Sequence, residues 1–290
     1  MDDVLPRPRE LLVAGHVNVD RVLSVGAFPD ADRTVPVLAH RVALGGTATN
    51  LARVASRYGV ACGIVADIGD GFPEEFLARL ERDGIDLRGL KRVAGVPTPT
   101  CFIVEDQRNG QRTFIDQGPM GGRAAPLRIG EWIREYSWLH VGTGDPDRHL
   151  ELARAARNQG LRVAADPAQE IHYRWDRARL RRLLSLSEIL FGNRSEIDRA
   201  VRLLGVRRPE RLLEYVPLVV RTEGARGARA FSRVATVHVP ALRPRRVRTT
   251  VGAGDAFRGG FYAAWFAGEA LPVCLTAGNR AAARWVERPE

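Results

Sequence analysis

The sequence predicts an α/β fold: a mostly parallel sheet with helices on both faces, plus a small separate β layer. Three observations carry this. From about residue 138 onward, strand-length apolar runs alternate with amphipathic helical segments, the pattern of a parallel sheet covered on both sides. Two β-rich pieces, at about 17–44 and 98–117, break that alternation. Turns rich in polar residues or glycine, at 15–20, 193–196 and 222–227, come directly after apolar runs, which is where α/β sheets bind ligands.

Residues 11–14 are a short apolar run that stops at Gly15, a first strand. Val17, Val19, Leu23 and Val25 then alternate with polar residues, as in a half-exposed strand, and 33–38 and 41–44 read the same way. Gly45-Gly46 precedes a helix over 47–58, with Leu51, Val54 and Ala55 on one face. Residues 61–66 are a buried strand, and 72–82 an amphipathic helix stopped at Gly84. Alternating segments at 100–105 and 111–116 flank Arg108-Asn109-Gly110, a hairpin signal. Beyond it, strands at 138–141, 161–165, 188–191 and 218–221 are interleaved with helices at 147–158, 177–184 and 195–204. A further hairpin lies within 229–239, and helices at about 253–267 and 271–285 follow. The β-rich pieces pair with each other as a lid over the C-terminal ends of the main strands, on a single domain spanning 1–290.

The bulk numbers fit such a domain. The chain has 290 residues, 45% hydrophobic and 27% charged. No apolar run approaches the ~20 residues of a membrane span, and residues 1–10 lack the basic and apolar regions of a signal peptide, so they read as a loose tail. Cys62, Cys101 and Cys274 are odd in number, far apart and without metal spacing, which suits a reduced, cytoplasmic setting. The net charge of +10 rests on arginine, because Lys91 is the only lysine. Mechanisms that need a lysine, such as a Walker P-loop or a Schiff base, are thereby excluded. The arginines are dispersed, so the basic charge reads as a solvated surface and not as a nucleic-acid footprint.

The chemistry concentrates in Thr250-Val251-Gly252-Ala253-Gly254-Asp255. Two glycines stand just before a helix and a carboxylate just inside it. The unpaired N–H groups of a first turn attract an anion, and glycine lets a ligand approach the backbone. An anion cradle beside a carboxylate is what phosphoryl transfer to a hydroxyl requires. Four other segments accompany it. Asn18 and Asp20 lie on one face of an extended stretch and suit adjacent hydroxyls; they equally suit solvent-facing strand polarity. Gly45, Gly46 and Asn50 open a helix, either for a ligand or as a simple turn. Asn193 and Glu196, three apart after a strand, suit a hydrated Mg²⁺ beside phosphates or a capping arrangement. Thr222, Gly224 and Gly227 suit a phosphate-wrapping turn or a strand connection.

The order and spacing of these segments resemble the PfkB (ribokinase-like) family of sugar and nucleoside kinases over nearly the whole chain, with residues 45–50 and 250–255 matching its two signatures. The resemblance implies a three-layer α/β/α kinase with a small β lid, using ATP and Mg²⁺. It implies that Asp255 is the catalytic base and that the amides of Gly252, Ala253 and Gly254 form the anion hole. Asn18, Asp20, Gly45, Gly46 and Asn50 would contact acceptor hydroxyls. Asn193 and Glu196 would organise Mg²⁺ through water. Thr222, Gly224 and Gly227 would bind the nucleotide, and Asn279 would flank its adenine. Thr249 stands where the family often has an aspartate that ligates a monovalent cation, so activation by potassium is left open. Residues 166–170, Asp-Pro-Ala-Gln-Glu, resemble a stretch of adenosine-kinase-like and archaeal nucleoside kinases, which adds Asp166 to the acceptor side and favours a nucleoside over a free hexose. The alternatives are a sugar or sugar-phosphate kinase, with Arg108 or Arg112 holding a substrate phosphate, and a non-catalytic ligand- or nucleic-acid-binding protein on the same fold. An exposed lid edge would further allow a homodimer.

Overall fold

The computed structural model describes residues 9–106, 110–121 and 129–288. The tail read at the N-terminus falls mostly outside them, as do Arg108 and Asn109 of the hairpin.

The chain opens with β1 (Arg9–Ala14), β2 (Asn18–Val25), β3 (Val37–Gly45) and α1 (Thr47–Arg57). β4 (Cys62–Asp70), α2 (Glu74–Arg82), β5 (Asp86–Pro97), β6 (Thr100–Asp106) and β7 (Gly110–Asp116) follow. Alternation then sets in: β8 (Tyr136–Val141), α3 (Pro146–Asn158), β9 (Arg162–Ala165), α4 (Arg177–Leu186), β10 (Ile189–Asn193), α5 (Arg194–Leu204) and β11 (Leu218–Thr222). The hairpin β12 (Ala228–Ser232) and β13 (Thr236–Val239) precedes α6 (Ala253–Phe266) and α7 (Leu271–Val286).

Nine strands form the main sheet in the order β13-β12-β11-β10-β9-β8-β1-β4-β5. All neighbours are parallel except β11–β12 and β12–β13. In β1, Leu11 and Val13 pack with α1, α2, α6 and α7, while Leu12 and Ala14 pack with α3, α4 and α5. This two-sided burial is why the central strands read as continuous apolar runs, and it makes the predicted three layers. Local signals set several helix starts. Asp145 caps α3, accepting from Arg148 N at 3.0 Å, and Asp176 caps α4, accepting from Arg179 N at 2.8 Å.

The second sheet has the order β3-β2-β6-β7, with β2 and β6 parallel at its centre. The two β-rich pieces therefore do pair, though with different bounds. Residues 33–36 are not strand, and a single β3 replaces the two short strands expected at 33–38 and 41–44. β5 was absent from the expectation. It is an edge strand paired to β4 with two register irregularities, and Arg88, Gly89, Lys91, Arg92 and Gly95 erase its apolar alternation.

Candidate active site

The two sheets meet at the C-terminal end of β1. Asn18 begins β2 and pairs across the ladder with Gly45, the last residue of β3. Gly46 then caps α1 with φ 102°, a conformation that favours glycine. A Cβ on Gly45 would stand 2.1 Å from a carboxylate oxygen of Asp20, and one on Gly46 2.6 Å from Asn18 Oδ1. The two glycines thus make room for the polar pair. The Asn18 amide donates to Asp20 Oδ1. Burial pushes the Asp20 carboxyl up to about 7, with Arg41 acting in the opposite direction.

One turn into α1, Asn50 Nδ2 donates to Asp255 Oδ2 at 3.1 Å. Asp255 lies in the first turn of α6, whose cap Gly252 is left-handed with φ 74°. A side chain at 252 would also meet Asn50 Nδ2 and the Trp285 ring, each at 3.0 Å. Trp285 of α7 fixes this turn by donating from Nε1 to Val251 O at 2.7 Å. Ala253 N–H is turned to Thr250 O at 3.3 Å, whereas the N–H groups of Gly252, Gly254 and Asp255 have no acceptor among the described residues. Three such donors at a helix start suit an anion, and the Ala253 N–H is the one turned away to a carbonyl. Burial pushes the Asp255 carboxyl up to about 7; Arg258 and Asn50 oppose the rise, and Asp166 and Glu196 add to it.

Asp166 needs a correction. It is 3% exposed, and both oxygens are engaged: Oδ1 accepts from Arg258 Nη2 at 2.7 Å, and Oδ2 meets Arg258 Nε and His140 Nε2. A carboxylate engaged in this way holds Arg258. His140 in turn bonds the Tyr262 hydroxyl through Nδ1 at 2.9 Å. The sequence held no signal for this chain, because its members come from β8, the end of β9 and α6.

The remaining candidates gather at the ends of β10 and β11 and in the segments that follow. Asn193 and Thr222 are register partners at the C-terminal ends of β10 and β11. Asn193 and Glu196 form a capping box, with Glu196 N to Asn193 Oδ1 at 3.0 Å and Asn193 N to Glu196 Oε2 at 2.6 Å. Glu196 Oε1 has no partner among the described residues, and burial raises this carboxyl. Gly224 and Gly227 have φ 59° and 95°, and the Glu223 N to Gly227 O bond of 2.7 Å closes their turn. A Cβ on Gly227 would lie 2.1 Å from Val239 O. The Asn279 amide donates to that same carbonyl at 3.2 Å and to Pro240 O at 3.0 Å, so it anchors the segment after β13. Thr249 Oγ1 accepts from Val251 N at 3.2 Å, a local turn bond in the place of an ion ligand.

A carboxyl raised by burial in the first turn of a helix, beside amides with no acceptor among the described residues, is the arrangement that phosphoryl transfer to a hydroxyl requires. The sequence matches the pfkB family carbohydrate kinases over residues 8–290, and the chain belongs to that family. It is 32% identical to a nucleoside kinase of Methanothermobacter thermautotrophicus, over 92% of this chain and 85% of that protein. It is 29% identical to an ATP-dependent ribose-1-phosphate kinase of Halopiger xanaduensis, over 88% of this chain and 84% of that protein. The crystal structure of the Methanocaldococcus jannaschii nucleoside kinase, described as an archaeal member of the ribokinase family, superposes with a TM-score of 0.88 at 26% identity, covering 97% of this chain and 92% of that one.

Proposed function

We propose that this kinase transfers the γ-phosphoryl group of ATP to the primary hydroxymethyl group of a nucleoside, with Asp255 as general base. One observation carries the reading: Asp255 combines a carboxyl near neutrality, a fixed orientation through Asn50, and adjacent free amides at Gly252 and Gly254. Asn18, Asp20 and Asn50 hold the acceptor. Asp255 takes the hydroxyl proton as the oxygen attacks phosphorus in line, and the cradle amides hold the charge that develops on the transferred group. Thr222, Gly224 and Gly227 wrap the donor phosphates, a role supported by the left-handed turn the two glycines make directly after β11. The second sheet serves as a lid that excludes water.

No group of three or more His, Cys, Asp or Glu among the described residues forms a metal cage. The oxygens of Glu196 and Asn193 are donors of the kind that suits a hydrated ion carried in with the nucleotide. Glu196, with Oε1 clear of its capping bond, would meet a water of hydrated Mg²⁺, and the ion would neutralise phosphate charge.

The nucleoside preference is supported by the relatives' names, and the ribose-1-phosphate kinase relative supports a sugar-phosphate acceptor as the second reading. Arg112, one candidate for holding such a phosphate, stacks on the Phe28 ring at 4.3 Å. The test is ADP release with ATP and, in turn, adenosine, inosine, cytidine, ribose, ribose-1-phosphate, fructose and fructose-6-phosphate. Fastest turnover with a nucleoside is expected; a sugar or sugar phosphate outpacing every nucleoside replaces the acceptor assignment. Turnover with none of them, alongside tight RNA or DNA binding at ~150 mM salt, would replace the kinase reading by a binding protein. A homodimer through the lid belongs to the same proposal. β7 is an exposed edge strand carrying Phe114 and Ile115, and sedimentation reads the mass directly. Three free cysteines, and a described chain in which no helix is long and apolar enough to cross a membrane, suit a cytoplasmic enzyme.

A further inference from the structure

The buried chain Tyr262–His140–Asp166–Arg258 takes no part in the transfer described above, yet it ends beside Asp255. Arg258 lies one helical turn after Asp255 on α6 and is 5% exposed. Its Nη2 donates to Asp166 Oδ1, and its Nε lies against Oδ2 of the same carboxylate as an ion pair. Nη1 lies against the cradle itself, where a Cβ on Gly254 would stand 2.7 Å from it. The Phe191 ring flanks the guanidinium at 5.9 Å. Behind Asp166, His140 stands at 3.3 Å and is held by Tyr262 at 2.9 Å. Burial pushes the His140 imidazole below its ordinary value while Asp166 pulls it up; a carboxylate oxygen can only accept, so Nε2 faces Asp166 as the donor and Nδ1 pairs with the Tyr262 hydroxyl. The arginine is therefore clamped from behind and cannot swing away.

The charges acting on Asp255 are Arg258 from its own helix, Asp166 from the end of β9 and Glu196 from α5. α1 faces it with the neutral amide of Asn50, and α7 faces the same turn with the Trp285 indole. Three carboxylates thus share one buried cation. A like-charged group close by favours the protonated acid, and a proton-bearing Asp255 cannot accept the acceptor's proton.

We propose that Arg258 is a positioning residue for Asp255: clamped by Asp166 and His140, it supplies the positive charge that lets Asp255 act as an anion beside two other carboxylates. This rests on the assignment of Asp255 as the base. Arg258 also ties the first turn of α6 to the end of β9, so the charge and the cradle are fixed together.

The test is the pH profile of kcat/KM for Arg258→Met and Asp166→Asn, with saturating ATP–magnesium and the panel acceptor turned over fastest. Removing the cation should move the acid limb upward by about one pH unit or more, so the rate at pH 6 falls about tenfold relative to that at pH 9. Removing the Asp166 charge, which leaves the cation in place, should move the limb downward. Packing damage alone lowers the rate equally at all pH, and that result in both variants overturns the proposal. Should Arg258→Met not fold, Asp166→Asn decides: an unmoved or raised limb overturns the proposal. Asp255→Asn assayed in parallel separates the two possible failures. Turnover surviving there removes the base itself, whereas an inactive Asp255→Asn with unmoved limbs removes only the role of Arg258.

Discussion

The side-chain amide of Asn50 donates a 3.1 Å hydrogen bond to Oδ2 of Asp255, across 205 residues of sequence. It joins the first turns of α1 and α6, and with them the two glycine-bearing helix starts. Because the amide donates, it orients one carboxylate oxygen of Asp255. The same Asn50 nitrogen limits what position 252 can carry. The two signature segments are therefore one site, not two.

Asp255→Asn should lower turnover by roughly 10²–10⁴-fold, the range for a lost general base. ATP affinity should be retained, since the amide cradle and the turn at 222–227 are untouched. Steady-state ADP release together with nucleotide titration checks both halves. A variant that keeps full activity would remove Asp255 from the mechanism.

The pH dependence of turnover and of stability should run in opposite directions. Burial raises the Asp255 carboxyl from 3.8 to about 7, so kcat/KM should climb as the pH rises through about 7 and the base ionises. The folded state binds this proton more tightly than the unfolded chain. Its stabilising effect is full below the unfolded value and is lost as the pH rises through the folded one. Asp255→Asn should therefore melt above the wild type at pH 8, by a margin that shrinks at pH 5. Calorimetry at the two pH values reads that difference.

Gly252→Ala meets two obstacles. The left-handed backbone costs a non-glycine residue about 1–2 kcal/mol, and the new Cβ lies 3.0 Å from both Asn50 Nδ2 and the Trp285 ring. Displacing that turn moves a cradle amide, so kcat should fall about 10²-fold, with a lowered melting temperature. An unchanged kcat would show that the 252 amide contributes nothing to the transition state.

Gly45→Ala separates the acceptor side from the donor side. Its Cβ would overlap the Asp20 carboxylate at 2.1 Å, pushing the Asn18–Asp20 pair out of place without touching the 222–227 turn. The KM for the acceptor should rise at least about tenfold, while the KM for ATP stays within error. A rise in both would show that the strand end at 45 positions the donor as well.

Much of the fold was legible because its signals are local. The capping box of Asn193 and Glu196 lies within four consecutive residues, and the buried central strands declare themselves by continuous apolar runs. β5 was illegible for the opposite reason: an edge strand buries little, so its charges and glycines carry no pattern. The candidate site was legible in its glycines and its carboxylate, since each needs a particular residue type at a particular backbone conformation. Asp166 was assigned to the acceptor side by the resemblance of residues 166–170 alone, and its partners Arg258 and His140 were out of view because they are distant in sequence.

The sequence by itself determined the class of fold, the two glycine-bearing helix starts and the identity of the carboxylate beside the cradle, all from spacing within a few residues. Tertiary structure alone decided which carboxylates are free. It left Asp255 beside orphan amides, spent Asp166 on a buried arginine and put half of Glu196 into a cap. Burial and charge pairing are properties of neighbours brought together by the sheet, and those neighbours have no fixed spacing along the chain.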